Sequence, residues 1–141
     1  MKYFTIAELT RTNHSGNNIP DAKEVINLVT LVEKVLDPAR EEFGEPIKVT
    51  SGFRSQEVNR LVGGAKSSQH CKGQAADLTC SDNKTLFRIL AEMEFDQLIY
   101  EFGDENQPSW VYVSYVLGAN RNEILRARKS KGRTSYEKIK I

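Results

Sequence analysis

The sequence has few of the residues that most often build metal and redox sites. Its 141 residues include two cysteines, Cys71 and Cys80, and two histidines, His14 and His70. These numbers exclude a zinc site of four cysteines or of three histidines, and the order of the residues excludes a zinc finger in which two cysteines precede two histidines. A Cys-x-x-Cys redox motif is also absent. We expect reduced thiols, with a Cys71–Cys80 pair as the alternative.

The sequence also lacks a long hydrophobic run. No apolar stretch approaches the roughly 18 residues that a membrane-spanning helix needs. The N-terminal segment MKYFTIAELTRTNHSG contains one lysine but no apolar core and no small-residue cleavage site, so we expect no signal peptide. The chain is therefore expected to be made in the cytoplasm, and any action at the cell wall would need another route of release.

Charge of one sign is not in excess over the whole chain. The net charge is +1, hydrophobic residues make up 39% and charged residues 28%, which is typical of one soluble globular domain. We expect no nucleic-acid partner, and we expect a monomer. The charge is uneven, however, because the chain from Arg121 onward carries eight basic and two acidic residues. Within a single domain over 1–141, we expect residues from about 129 to 141 to form a flexible basic tail.

Helix and strand patterns alternate along the chain and predict an α+β fold. Asp21 begins a helix with apolar residues at helical spacing, and Gly44 ends this helical region. Further helices are predicted at 56–61 and 81–93, and short strands at 47–50, 74–79, 95–100, 110–116 and 123–128. We expect the last two strands to form a hairpin. Helices thus precede and interrupt a mostly antiparallel sheet.

The segment KSSQHCKGQAADLT places His70 in a glycine-bounded loop and Asp77 in the strand that follows. An imidazole nitrogen and a carboxylate oxygen are both good zinc ligands. Gly73 allows a tight turn between them, and strand alternation places Asp77 on the opposite face from Ala76 and Leu78. An isolated pair of this kind is more typical of surface or hydrogen-bonding residues, so the pair alone does not define a site.

The complete string SxHxxGxAxD, which runs from Ser68 to Asp77, resembles the signature of the zinc D-Ala-D-Ala carboxypeptidase family. The segments VTSGFRS, FDQLIYE and SWVYVSY, together with the N-terminal YFTIAELT and LVEKVLDPARE, resemble small phage and prophage members of that family. The resemblance covers roughly residues 3 to 128. It implies the fold that the family shares with lysostaphin-type peptidases and the hedgehog signalling domain, with the sheet flanked by helices.

The resemblance implies a zinc ion bound by His70 and Asp77. The family's third ligand is a histidine in a WVHVS-like strand, and in this sequence Tyr112 occupies that position. Three alternatives stay open: Tyr112 binds the metal as a phenolate, which needs a lowered pKa; the site is incomplete and binds zinc weakly or not at all; or another residue substitutes. His14, the only other imidazole, lies in an early loop and is a poor candidate.

Glu101, at the end of FDQLIYE, is the expected general base, and Asp104 and Glu105 are its rivals. The resemblance implies that Arg54 steadies the substrate carboxylate or the developing oxyanion, a task that suits the paired donors of a guanidinium. Four further residues are expected to bind substrate or to support the site. They are Ser68, Gln69, Trp110 and Ser114.

The sequence therefore supports two functional hypotheses. The first is a zinc-dependent peptidase, either carboxypeptidase or endopeptidase, that hydrolyses peptidoglycan peptides with metal-activated water. The second is a catalytically impaired or inactive relative that serves as a cell-wall or peptide-binding module, because Tyr112 replaces the third histidine.

Overall fold

A computed structural model describes residues 1–140 and has the predicted α+β architecture. Its helical elements are as follows: α1 (Ile6–Leu9), α2 (Ala22–Leu31), a π-helical segment (Val32–Leu36), α3 (Asp37–Phe43), α4 (Gln56–Leu61), a 3₁₀ turn (Gln69–Lys72) and α5 (Asn83–Ala91). Its strands are β1 (Lys48–Ser51), β2 (Ala75–Thr79), β3 (Gln97–Glu101), β4 (Trp110–Ser114), β5 (Glu123–Ser130) and β6 (Arg133–Lys138).

The long helical region from α2 to α3 begins and ends where the sequence predicts. Asp21 and Glu24 form a reciprocal capping box at its start, and Gly44 ends it in the left-handed conformation at φ 79°. The π-helical segment ends two residues before Pro38, which has no N–H to donate and would crowd the preceding turn of a regular helix. The wider turn lets the apolar face continue through the proline without a break.

The six strands form one sheet in the order β1-β2-β4-β3-β5-β6. Every neighbouring pair is antiparallel except β3 with β5, which confirms a mostly antiparallel sheet. Alternate residues such as Leu78, Leu98 and Val113 point to the helices and form the buried core. Asp77, Tyr112, Ile99 and Glu101 lie on the opposite face of the sheet, so that face is free to carry a site.

The predicted hairpin between β4 and β5 is wrong. Strand β4 lies between β2 and β3, so both of its edges are already occupied. Strand β5 instead pairs in parallel with β3, and its start is anchored by hydrogen bonds from Asn122 N to Phe95 O and from Glu123 N to Asp96 O. The turn at Gly118 therefore leads the chain from β4 past β3 to the far edge of β3, rather than back along β4.

The C-terminal segment also differs from the flexible tail expected over 129–141. Its described residues form the end of β5 and all of β6, and only Ile141 lies outside the described residues. Lys131 and Gly132 both have positive φ, 51° and 77°, which suits a two-residue hairpin turn. Since β6 is exposed along its length, it has no alternation of buried and exposed residues by which the sequence could reveal it.

Within residues 1–140, no helix combines the length and the apolar character that crossing a bilayer requires.

Candidate active site

A cleft of about 790 Å³ lies on the face of the sheet opposite the helices. Its floor comes from the central strands β2, β4 and β3, and its walls come from the 3₁₀ turn and from the loops before β2 and β5. Seven of the residues that matter for its chemistry are Arg54, Gln69, His70, Asp77, Asp96, Glu101 and Tyr112. The strand order therefore brings together residues that are distant in the chain.

His70 is held in one orientation by the turn that carries it. The Ser68 hydroxyl accepts a hydrogen bond from His70 N at 3.2 Å, and Gly73 ends the turn at φ 72°. A Cβ at residue 73 would lie 2.5 Å from the Glu24 carbonyl oxygen, so only glycine fits there. The imidazole is 3% exposed, and its Nδ1 lies 2.7 Å from Gly52 O. Because a carbonyl can only accept, Nδ1 carries a proton, and in the neutral imidazole the lone pair of Nε2 is then free.

Asp77 lies on β2 beside this lone pair. Its Oδ2 is 3.5 Å from His70 Nε2. The nitrogen and the carboxylate oxygen therefore meet at one point of the cleft, and a carbonyl behind the imidazole fixes its tautomer, as is usual for histidines that bind metals. In the described part of the chain, however, no group of three or more His, Cys, Asp or Glu side chains converges. His70 and Asp77 thus fit two positions of a zinc site and leave the third to another type of residue.

Tyr112 lies directly opposite Asp77 in the β2–β4 register, and its ring meets that of His70 edge to face at 5.5 Å. Its hydroxyl donates a hydrogen bond to Gln69 Oε1 at 2.7 Å. Burial raises the pKa of the Tyr112 phenol further above its ordinary value of 10, and the negative charge of Asp77 adds to the rise. The Tyr112 side chain therefore lies beside the His70–Asp77 pair, with its hydroxyl proton donated to Gln69. Binding of a metal ion by this oxygen as a phenolate would require the phenol to lose that proton and the hydrogen bond to break.

Asp96 and Arg121 extend this contact into a chain of hydrogen bonds. Gln69 Nε2 donates to Asp96 Oδ2 at 2.7 Å, and Arg121 donates to the same carboxylate through its backbone N, Nε and Nη2. Asp96 is 1% exposed, and the hydrogen bonds from Arg121 lower its pKa despite burial. Because Asp96 fixes the amide nitrogen of Gln69, the amide oxygen must face Tyr112.

Sequence reasoning missed Asp96 and Arg121 as residues of the site. The available signal was a carboxylate at the start of an otherwise apolar strand, in FDQLIY. A charge at such a position needs a partner, but the sequence does not say which one.

Glu101 is almost fully buried at the end of β3, opposite Trp110. Trp110 Nε1 donates to Glu101 Oε2 at 3.2 Å, while Oε1 is buried and has no hydrogen-bond partner among residues 1–140. Burial raises the pKa of the Glu101 carboxyl from 4.5 to about 7, and the nearby charge of Asp77 contributes to the rise. A carboxyl group with this pKa can both take and return a proton near neutral pH.

The rival carboxylates lie outside the cleft. Glu105 is 82% exposed and pairs with Arg126 at 3.2 Å. The Asp104 carboxylate accepts backbone hydrogen bonds from Asn106 and Gln107, which lower its pKa. Neither residue lines the cleft. Of the three candidates, the structure therefore brings only Glu101 to the site.

Arg54 lines the cleft, and its backbone N donates to His70 O at 3.0 Å. Its Nε is buried and has no hydrogen-bond partner within the described residues. Ser114, by contrast, is fully buried, and its hydroxyl accepts from Gln97 N at 3.0 Å, so it joins β3 to β4 and does not line the cleft. His14 lies in a separate cleft.

Both cysteine thiols, Cys71 and Cys80, are free, and burial raises the pKa of each.

Comparison with known proteins gives two matches. The family described as Peptidase M15 matches residues 2–114. The zinc D-Ala-D-Ala carboxypeptidase of Streptomyces albus G is 44% identical over 78 residues, which are 53% of this chain and 30% of that protein. The chain thus spans about a third of the length of this relative. The resemblance found in the sequence motifs agrees with both matches.

Proposed function

Because the chain belongs to the Peptidase M15 family, we propose that it is a zinc-dependent peptidase that hydrolyses peptides of bacterial peptidoglycan. The observation that carries the proposal is the His70–Asp77 pair, in which the Nε2 lone pair of a tautomerically fixed imidazole lies 3.5 Å from a carboxylate oxygen. The relative from Streptomyces albus G is a zinc D-Ala-D-Ala carboxypeptidase, which supports a D-amino-acid peptide as the substrate.

In this proposal His70 and Asp77 hold the zinc ion. The bound ion would polarise the scissile carbonyl and lower the pKa of water. Glu101 takes the proton of the attacking water and returns it to the leaving amine, a role that suits a carboxyl group buried in the same cleft as His70 and Asp77. Arg54, which lines the cleft, donates to the oxyanion that develops on the substrate. The Ser68 hydroxyl accepts a hydrogen bond from the backbone N of His70, and Gln69 Oε1 accepts one from the Tyr112 hydroxyl.

Elemental analysis together with muropeptide digestion tests this proposal. We expect zinc to bind at one ion per chain, and mass spectrometry of digested muropeptides to reveal a released amine or D-Ala. His70→Ala should abolish both properties, whereas His14→Ala, which changes the other histidine, should leave the zinc content unchanged. Glu101→Gln should keep the zinc and lower kcat by about 10²- to 10⁴-fold. A protein that binds no zinc and cleaves nothing would overturn the proposal.

A second candidate function is supported by the contact between Tyr112 and Gln69. While the Tyr112 hydroxyl donates its hydrogen bond to Gln69, the metal position has two protein ligands, His70 and Asp77, instead of the three that catalytic zinc sites usually have. The chain would then bind wall peptides in the same cleft without hydrolysing them. Tyr112→His distinguishes the two functions. If the parent is inactive and this variant hydrolyses muropeptides, the binding function is supported; if the parent already hydrolyses them, it is excluded.

A further inference from the structure

A second cleft, of about 520 Å³, lies beside the edge strand β1. It is enclosed by the loop at residues 11–14, by β1 and by one side of α4. Arg54 lines both this cleft and the candidate active site, so it lies where the two meet. A ligand that extends from His70 and Asp77 past Arg54 would therefore enter the second cleft.

The second cleft is positively charged. Arg11, Lys48 and Arg54 line it, and none of its lining residues in the described chain is an Asp or Glu. None of these three cations forms an ion pair within residues 1–140. Three cations that lie together without a carboxylate partner favour an anionic ligand.

The remaining surface of the cleft indicates which anion it would take. Val62 is exposed and provides an apolar surface with Val58 buried behind it, and Thr12 and Thr50 provide neutral hydrogen-bonding groups. A peptide chain offers aliphatic side chains, amide groups and carboxylates together, and it matches all three kinds of surface. A polymer of glycerol phosphate offers charge but no aliphatic side chain. A guanidinium also matches the planar geometry of a carboxylate through two parallel hydrogen bonds.

We propose that the second cleft is a binding subsite for the carboxylate-bearing part of a peptide, which reaches it from the active site across Arg54. The inference deepens the proposed function and rests on it for the source of the peptide. It assigns Arg11 and Lys48 a role in substrate selection that is separate from the chemistry at His70, Asp77 and Glu101. The subsite favours peptides with free carboxylates over the same peptides as amides.

Binding in the presence of a metal chelator tests the inference without hydrolysis. The probe is the peptide L-Ala-γ-D-Glu-L-Lys-D-Ala, compared with the same peptide whose carboxylates are amidated, and calorimetry or NMR titration measures the Kd. We expect amidation to weaken binding about tenfold or more, and Arg11→Glu and Lys48→Glu each to weaken binding of the free acid by about fivefold. Lys34→Glu, an equal charge change at an exposed position elsewhere, should leave the Kd unchanged.

Several results would overturn the inference. They are a peptide Kd that amidation does not change, an equal change of that Kd in Lys48→Glu and Lys34→Glu, tighter binding of a glycerol phosphate oligomer than of the peptide, and no binding of the peptide at all. The outcome is separate from that of the proposed function. A protein that hydrolyses muropeptides but shows no effect of Lys48→Glu keeps its function and loses the subsite. A protein that binds the free acid selectively and hydrolyses nothing keeps the subsite and loses the enzymatic function.

Discussion

Burial of the Glu101 carboxyl group predicts a pH-dependent loss of stability that needs no substrate to measure. Its pKa is raised from 4.5 to about 7 in the folded chain, mainly by burial. Between these two pH values the folded state therefore holds one more proton than the unfolded state. The stability associated with neutral Glu101 is fully present below pH 4.5 and is lost as the pH rises to about 7.

The size of the loss follows from the two pKa values. At about 1.4 kcal/mol per pH unit, it amounts to about 3 kcal/mol in the free energy of unfolding. Glu101→Gln keeps the shape of the side chain and the acceptor for Trp110 Nε1, but it does not titrate. We therefore expect Glu101→Gln to match the parent near pH 4.5 and to exceed its stability by about 3 kcal/mol at pH 8.

Urea denaturation near pH 4.5 and at pH 8, in the presence of a chelator, measures this difference. The chelator is needed because a metal ion beside Asp77 would favour the charged form of Glu101. Glu33→Gln, at an exposed position of the π-helical segment, is the matched control and should show the same pH dependence as the parent. If Glu101→Gln also keeps the pH dependence of the parent, or is less stable than the parent at pH 8, the reasoning from burial is wrong.

Three further predictions concern Tyr112, Asp96 and Gly73. Tyr112→Phe should keep the zinc Kd of the parent within about twofold, whereas Tyr112→His should lower the zinc Kd by about tenfold or more. Competition with a chromophoric chelator measures both values. A large loss of zinc affinity in Tyr112→Phe would show that the phenol is a ligand. Asp96→Asn should lower the free energy of unfolding by about 2 kcal/mol at pH 7. Because the pKa of Asp96 is lowered from 3.8 in the folded chain, the stability difference between parent and variant should shrink only as the pH falls below 3.8. Urea titration at about pH 3 and pH 7 checks this. Gly73→Ala should lower the melting temperature more than Gly44→Ala, since both positions have positive φ but only a Cβ at residue 73 meets a backbone oxygen; equal losses would show that the close contact relaxes freely.

The sequence predicts those parts of the fold and site that depend on local pattern. The capped helix that Asp21 begins and the alternation that turns Asp77 away from the core follow from spacing and turn residues alone. A resemblance adds the pairing of His70 with Asp77, because seven residues of separation do not by themselves show that a loop and a strand converge. The motif therefore predicts more of the site than the periodicity does.

Other features could not be predicted, because they depend on which strands become neighbours. The parallel pairing of β3 with β5 follows from the occupied edges of β4, and no local signal carries that information. The orientation of Gln69 depends on Asp96 and Arg121, which are 27 and 52 positions away in the chain. The raised pKa of Glu101 could not be predicted either, because it arises from burial that only the packed sheet creates.

Glu101 also bears on the choice between the two proposed functions. A cleft that only binds peptides gains nothing from a buried carboxyl group whose Oε1 lacks a partner within residues 1–140 and whose ionisation near pH 7 lowers stability. Glutamine would fill the same space and accept the same hydrogen bond from Trp110 without that loss. A hydrolytic site, by contrast, needs a group at this position that can exchange a proton near neutral pH. The cost that Glu101 imposes on the fold is therefore an argument for catalysis that does not depend on whether Tyr112 binds the metal.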